Sequence, residues 1–183
     1  MSSIPSIQRL RVPLGFVLGG LYLWFARPTT GSLLLGAVVA LAGLAMRGWA
    51  AGHIVKNDRL ATTGPYAHTR NPLYLGSFLI AAGFALAAHW SMLLLVIAFF
   101  ALVYAPTIAR EREFVRGRFP AAYAEYERNV PPFLPRPTPW SGGDRTDTQP
   151  WSLALYLRHR EWQAALVYVL AILWLLYRLR PAP

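Results

Sequence analysis

The chain has 183 residues, 55% hydrophobic and 14% charged, with a mean hydropathy of +0.34. This is too apolar for an ordinary water-soluble domain and points to a membrane protein. Eighteen Lys and Arg against eight Asp and Glu give +10, a balance compatible with nucleic acid, anionic lipid or the cytoplasmic loops of a membrane protein. Cysteine is absent and the four histidines are scattered, so disulfides and thiolate metal sites are excluded and no structural metal is expected.

Met1 to Arg11 carries Arg9 and Arg11 and runs straight into an apolar stretch from Val12 to Ala26. Without a convincing small-x-small cleavage site, this reads as a first membrane helix, with a processed or interfacial segment as the alternative. It falls short of the ~20 residues of a perpendicular span, so flanking residues or a thinned bilayer must complete it. After the connection Arg27-Pro-Thr-Thr-Gly31, Ser32 to Trp49 is long enough to cross, and Gly36, Ala40 and Gly43 place small residues at helical spacing, as in close helix packing. From Arg47 to His68 the chain turns polar. Leu73 to Trp90 and Met92 to Ile108 are two further spans, separated so briefly that they must form an antiparallel hairpin.

Pro106 is expected to kink or loosen the end of that fourth span, with Glu111 about one turn beyond. Val115, Phe119, Ala122, Tyr123, Tyr126 and Val130 then recur at steps of three and four, an amphipathic stripe. Gly117 and Pro120 should break it, with Pro120 opening a new helix. Pro131 to Pro150 reads as irregular, and Trp162 to Leu179 is a fifth apolar run. The expectation is therefore an all-α, integral-membrane bundle of about five helices, organised as one domain over residues 1–183, with a linker at 136–157 and a last span at 162–179. If the N-terminus lies inside, all Lys and Arg except Arg27, Arg178 and Arg180 share one face. The positive-inside rule then makes the polar loops cytoplasmic and the protein multi-pass, which removes nucleic acid as the reason for the +10. Part of the charge can also hold anionic lipid headgroups.

The stretch Gly64 to Gly76, GPYAHTRNPLYLG, packs two prolines, two tyrosines, His68, Arg70 and Asn71 between two spans. Pro65 and Pro72 fix their own φ and bias Gly64 and Asn71 toward extended geometry, predicting a shaped loop rather than a helix. A second block follows in order: Glu111-Arg-Glu-Phe, Phe119-Pro-Ala-Ala-Tyr123, Tyr126 and Val130-Pro131-Pro132-Phe133-Leu134-Pro135. Together, over about residues 41–135, the two blocks resemble the isoprenylcysteine carboxyl methyltransferase family and the related phospholipid methyltransferases. No G-x-G-x-x-G follows a strand, so a soluble Rossmann-type methyltransferase is excluded.

The resemblance implies S-adenosylmethionine as cofactor and a lipidic or prenylated membrane acceptor. It implies cofactor contacts at Leu60, Ala61, Gly64, Tyr66, Arg70, Asn71, Pro72, Tyr74 and Glu111. Glu111 matches the family's acidic position, and its plainer alternative is a surface ion pair of Glu111 and Glu113 with Arg110, Arg112 or Arg116. Tyr66 and Tyr74 suit adenine and sulfonium contact, or else serve as interfacial tyrosines. Arg70 suits a carboxylate or phosphate clamp, or a cytoplasmic anchor. Asn71 stands where relatives often carry histidine and cannot titrate, which leaves His68 as the nearest titratable group and more suited to a structural role. Lys56 is a weak match to a glutamine that contacts cofactor in some relatives. The position of the family's substrate-binding arginine is Thr107 here, with Arg110 one turn away as a weak substitute. No catalytic acid or base is assigned. An isoprenylcysteine-like carboxylate, already ionised at neutral pH, needs none, whereas an ethanolamine ammonium must first lose a proton. The alternatives are a phospholipid N-methyltransferase and a non-enzymatic membrane scaffold or transport subunit.

Overall fold

The computed structural model describes residues 6–55, 59–142 and 150–179, which form seven α-helices and no strand. They are α1 (Ser6–Phe25), α2 (Thr30–Ala51), α3 (Pro72–Ala88), α4 (Met92–Arg118), α5 (Pro120–Asn129), α6 (Leu153–Arg158) and α7 (Trp162–Arg178). A single 3₁₀ turn, Gly64–Ala67, lies in the loop before α3. By length and composition α2 and α4 suffice to cross a membrane, while α3 and α7 are apolar but only 17 residues long. At 1.5 Å per residue, α3 and α7 are each about 26 Å long, against about 33 Å for α2.

Thr29 starts α2 through a capping box: its hydroxyl accepts from the Ser32 N–H at 3.2 Å, and the Ser32 hydroxyl accepts from the Thr29 N–H at 3.0 Å. The Ser32 hydroxyl also donates to the Ala87 carbonyl at 2.9 Å, tying the start of α2 to the end of α3. Between those ends the helices are in near backbone contact. A Cβ built on Gly43 would stand 2.6 Å from the Gly76 carbonyl oxygen and 2.7 Å from the Ile80 nitrogen. The small-residue stripe expected on α2 thus faces a matching stripe on α3, Gly76 and Gly83.

Ala26, Leu33, Ala87, Ala88 and Leu175 cluster at one end of the bundle, where the Arg178 guanidinium donates to the Trp24 and Ala26 carbonyls at 3.2 Å. Successive long helices therefore alternate in direction. Leucine and valine side chains such as Leu34, Leu35, Val38, Leu102, Val167 and Leu170 project outward from them. So much exposed apolar surface is untenable in water and natural in lipid.

Four expectations need correction. The stretch Gly64 to Gly76 is not a loop throughout: Gly64–Ala67 forms a 3₁₀ turn, and Pro72 to Gly76 already belong to α3, which Pro72 opens in its first turn. The helix opened by Met92 does not end near Pro106 but continues to Arg118. A π segment, Phe100–Tyr104, precedes the proline, and the Ala105 N–H reaches back to the Phe100 carbonyl. This shift in register relieves the clash and lost hydrogen bond that proline imposes on a regular helix. Gly64 is not extended: its φ is +58°, a left-handed geometry open to it because it lacks a Cβ, and a Cβ there would lie 2.6 Å from His53 Nε2. The proposed linker 136–157 includes the start of α6, capped by the Ser152 hydroxyl, which accepts from the Leu155 N–H. The break at Pro120 is where the sequence placed it, with Pro120 in the first turn of α5. Lys56 lies outside the described residues.

Candidate functional site

The end of the bundle opposite the Ala26–Leu175 cluster holds a cavity of about 1120 Å³. Its wall is built by the end of α2, the loop before α3, the starts of α3, α5 and α7, and the middle and second half of α4. The two sequence blocks meet there. The Arg70 N–H donates to the Pro131 carbonyl (2.9 Å), the Asn71 amide to the Pro132 carbonyl (2.8 Å) and the Thr69 hydroxyl to the Phe133 carbonyl (2.9 Å). The Arg136 and Trp140 N–H groups return bonds to the His68 and Ala67 carbonyls, both at 2.9 Å, and the Tyr126 hydroxyl donates to the Tyr66 carbonyl at 2.7 Å. The proline-rich segment and the loop thus exchange hydrogen bonds in both directions, satisfying backbone groups that the loop's short 3₁₀ turn leaves open.

Of the nine residues matched to cofactor contacts, Leu60, Ala61, Tyr66, Arg70, Asn71, Pro72, Tyr74 and Glu111 line the cavity, and Gly64 does not. The left-handed turn at Gly64 shapes the loop from behind. Arg110 is exposed and is not part of the wall, although Ala109, Glu111 and Arg112 beside it are. Thr107 is buried off the wall as well, its hydroxyl donating to the Val103 carbonyl at 3.0 Å. His68 is structural: its Nδ1 donates to the Arg136 carbonyl at 2.9 Å.

Glu111 makes no ion pair among the described residues. Glu113 instead takes Arg116 at 3.5 Å, and Arg112 and Arg116 both reach Glu127 (2.6 and 2.5 Å), leaving the Glu111 carboxylate on the cavity wall. Arg70 also pairs with Glu127 and so has an internal carboxylate partner. Burial pushes the Glu127 carboxyl up, but the hydrogen bonds from Arg116, Arg70 and Arg112 outweigh it and hold it at about 2. Tyr66 is 6% exposed and its hydroxyl has no hydrogen-bond partner among the described residues. Burial first, and the nearby Glu111 and Glu161 charges next, push that hydroxyl above its usual range and keep it protonated.

Among the wall residues that the sequence did not single out, three form a polar group. Arg47, near the end of α2, donates through Nε to Glu161 Oε2 (2.9 Å) and through Nη2 to Glu161 Oε1 (2.6 Å). Glu161 immediately precedes α7 and is 7% exposed; His159, two residues earlier, donates to the Ile54 carbonyl at 3.1 Å. An acidic residue at the mouth of an apolar run was the available signal, but its partner is 114 residues away. From this polar end an aromatic track leads between the helices: Phe78 lies edge-on to Phe100 (5.2 Å) and Phe133 (5.9 Å), and Phe100 stacks on Tyr104 at 4.4 Å. Phe100 and Tyr104 bound the π segment, a feature that often marks functional stretches of helix. Among the described residues there is no group of three His, Asp or Glu arranged to hold a metal ion.

Over 106 residues, 56% of this chain, the protein is 38% identical to the cobalt-zinc-cadmium resistance protein CzcN of Cupriavidus metallidurans and 35% identical to the nickel-cobalt-cadmium resistance protein NccN of Alcaligenes xylosoxydans xylosoxydans. It is 28% identical over 136 residues, 70% of this chain, to a protein-S-isoprenylcysteine O-methyltransferase of Schizosaccharomyces pombe. The matched segments cover 47%, 48% and 57% of those proteins, so the chain spans about half the length of the curated relatives it matches. No solved structure matches it. The family model of the phospholipid methyltransferases matches residues 29–122, the segment that carries α2, the motif loop, α3, α4 and Glu111. With just over half of its length matched, the chain belongs to the phospholipid methyltransferase family.

Proposed function

We propose that the protein is a multi-pass membrane methyltransferase that uses S-adenosylmethionine and acts on a lipidic or membrane-partitioned acceptor, with the carboxylate of an isoprenylcysteine-like thioether favoured. One observation carries this reading: a single cavity joins the motif residues at its polar end to an aromatic track between helices. The residues fit the cofactor in kind. Glu111 is an unpaired carboxylate for the methionine ammonium, the orphaned Tyr66 hydroxyl is a buried donor awaiting an oxygen, and Tyr74, Tyr104 and Phe133 offer rings to an adenine or a sulfonium. When bound, the cofactor supplies an electrophilic methyl for in-line displacement.

The chain's own contribution is positioning and the exclusion of water. The proline-laced loop holds Tyr66, Arg70 and Asn71 on a fixed backbone, so little reorganisation accompanies binding. Phe78, Ile97, Phe100 and Ala101 keep the inner half of the cavity apolar, which strips water from an approaching nucleophile. A carboxylate acceptor, already ionised at neutral pH, needs no general base. In the proposed topology the five long helices α1–α4 and α7 cross the bilayer and the cavity's polar mouth faces the cytoplasm. The direction of the helices and the arginines at that mouth support it. The acceptor enters sideways, since each buried methylene contributes about 0.8 kcal/mol to partitioning and the tail is already in the membrane.

The family's description favours a second reading, in which the acceptor is the amine of a phospholipid headgroup. Transfer of labelled methyl from the cofactor to S-dodecylthioacetic acid, against dioleoylphosphatidylethanolamine, separates the two. Label on the acid supports the carboxylate reading and label on the lipid the amine reading. Failure to bind S-adenosylhomocysteine, together with no transfer to either, leaves a non-enzymatic scaffold.

A further inference from the structure

Thr107 turns its hydroxyl into its own helix and Arg110 is off the wall, so neither supplies a cation for an acceptor headgroup. Arg47 stands where one is needed. Its Nη1 donates to the Ser77 hydroxyl at 2.5 Å and is 3.4 Å from the Leu73 carbonyl, and Ser77 adjoins Phe78, where the aromatic track begins. The guanidinium thus sits at the junction of the polar and apolar halves of the cavity.

Several features serve to hold it there. Gly76 makes room for the Arg47 stem, since a Cβ at Gly76 would lie 2.6 Å from Arg47 Cγ. Glu161 grips Nε and Nη2 in a two-pronged pair, the arrangement that fixes a guanidinium plane. The residue before it, Arg160, has φ +55°, a left-handed geometry unusual for a side chain that long, and this turn aims Glu161 at α2. Of five guanidinium N–H donors, two go to Glu161 and two toward Ser77 and Leu73, which leaves one on Nη2. The unpartnered Tyr66 hydroxyl lines the same cavity. Glu161 and His159 lie outside residues 29–122, so this part of the wall comes from beyond the family-matching segment.

We infer that the Arg47–Glu161 pair is the element that selects an anionic acceptor: Arg47 donates to an oxygen of the acceptor's head, and Glu161 is a positioning residue that fixes the guanidinium plane. This rests on the lipidic-acceptor reading above and adds the residue that reads the acceptor's charge. A carboxylate head placed there accepts from the remaining Nη2 donor with its tail along Phe78 and Phe100, while an ammonium head faces that same donor and has no oxygen to offer it.

The test uses the full chain in nanodiscs and a labelled probe, S-dodecylthioacetic acid, with its uncharged amide as competitor. Wild type should bind the acid at least tenfold more tightly than the amide. Arg47→Gln should abolish that preference and Glu161→Gln reduce it at least threefold, each with S-adenosylhomocysteine affinity within twofold of wild type. The double variant Arg47→Gln/Glu161→Gln leaves no unpaired buried charge, so it should melt no lower than either single variant and still show no preference. Retention of the acid preference in Arg47→Gln overturns the inference. So does a loss that appears only together with lost S-adenosylhomocysteine binding and a collapsed melting point, since that marks a purely structural pair. If wild type binds S-adenosylhomocysteine but does not prefer the acid, the inference fails and the proposed function stands. If the acid preference depends on Arg47 but no S-adenosylhomocysteine binds, the proposed function fails and the anion site stands.

Discussion

Replacing Glu127 with Gln removes the carboxylate that three arginines share while keeping its shape. Arg112 and Arg116 are about half-exposed, and water screens them, so their loss counts for little. Arg70 differs: its side chain is 11% exposed against 18% for Glu127, and a charge-assisted hydrogen bond of that kind contributes about 1.5–3 kcal/mol. Arg70 is also anchored through its backbone to Pro131, so loosening it strains the lacing between the motif loop and the proline-rich segment. The expected destabilisation is therefore about 1.5–3 kcal/mol, a fall in melting temperature on the order of 5 °C for a chain of this size. The pH dependence supplies a sign. The folded-state pKa of about 2 lies below the ordinary value of 4.5, so this contribution is fully present above about pH 4.5 and is lost as pH falls toward 2. Intrinsic tryptophan fluorescence reads the melt, with Trp140 packed 5.6 Å from Tyr126 beside this network. Wild type should lose stability across that window, and Glu127→Gln should start lower and lack that part of the acid slope. Superimposable melts at pH 7 and parallel acid curves would refute the shared-carboxylate reasoning.

Glu111→Gln should fold normally but bind S-adenosylhomocysteine more weakly by roughly 10- to 100-fold, the equivalent of about 1.5–3 kcal/mol; unchanged affinity by calorimetric titration would return Glu111 to the solvated surface. Gly43→Ile should destabilise the protein by about 1–3 kcal/mol or more, because the new atoms meet the backbone of α3 rather than a yielding side chain; a thermal shift of zero would contradict the close α2–α3 contact. Cysteines introduced singly at Thr62 and Ser141 should react with an impermeant thiol reagent from the cytoplasmic side and one at Ser91 from the other, a clean assay because the chain has no cysteine of its own. Reaction of Thr62 and Ser141 from opposite sides would overturn the proposed topology.

The helices were legible wherever hydropathy alone determines them, which is why the boundaries at Thr30, Pro72 and Pro120 fall within a residue or two of expectation. Close helix packing at Gly43 was legible too, since small residues at helical spacing have few other uses in an apolar span, but the partner helix was not. The continuation of α4 through Pro106 was not, because the π segment that accommodates the proline leaves an unbroken apolar run unchanged. The left-handed Gly64 went unread because proline's bias on the preceding residue acts chiefly through a Cβ that glycine lacks. In the site, local motifs brought eight matched residues to one wall, while Glu127 and the Arg47–Glu161 pair escaped. The Arg70–Glu127 and Arg47–Glu161 pairs join residues far apart in the chain, and charge alone does not say which arginine a glutamate will meet.

The measurement that bears most directly on the central claim is to incubate the purified protein with methyl-labelled S-adenosylmethionine and a lipid extract, partition the mixture into organic solvent, and treat the organic phase with mild base. The expected result is label in the organic phase that base releases as methanol, the mark of a methyl ester on a lipidic carboxylate. Base-stable label would mean that an amine is the acceptor, and no organic-soluble label together with no binding of S-adenosylhomocysteine would contradict the enzymatic account altogether.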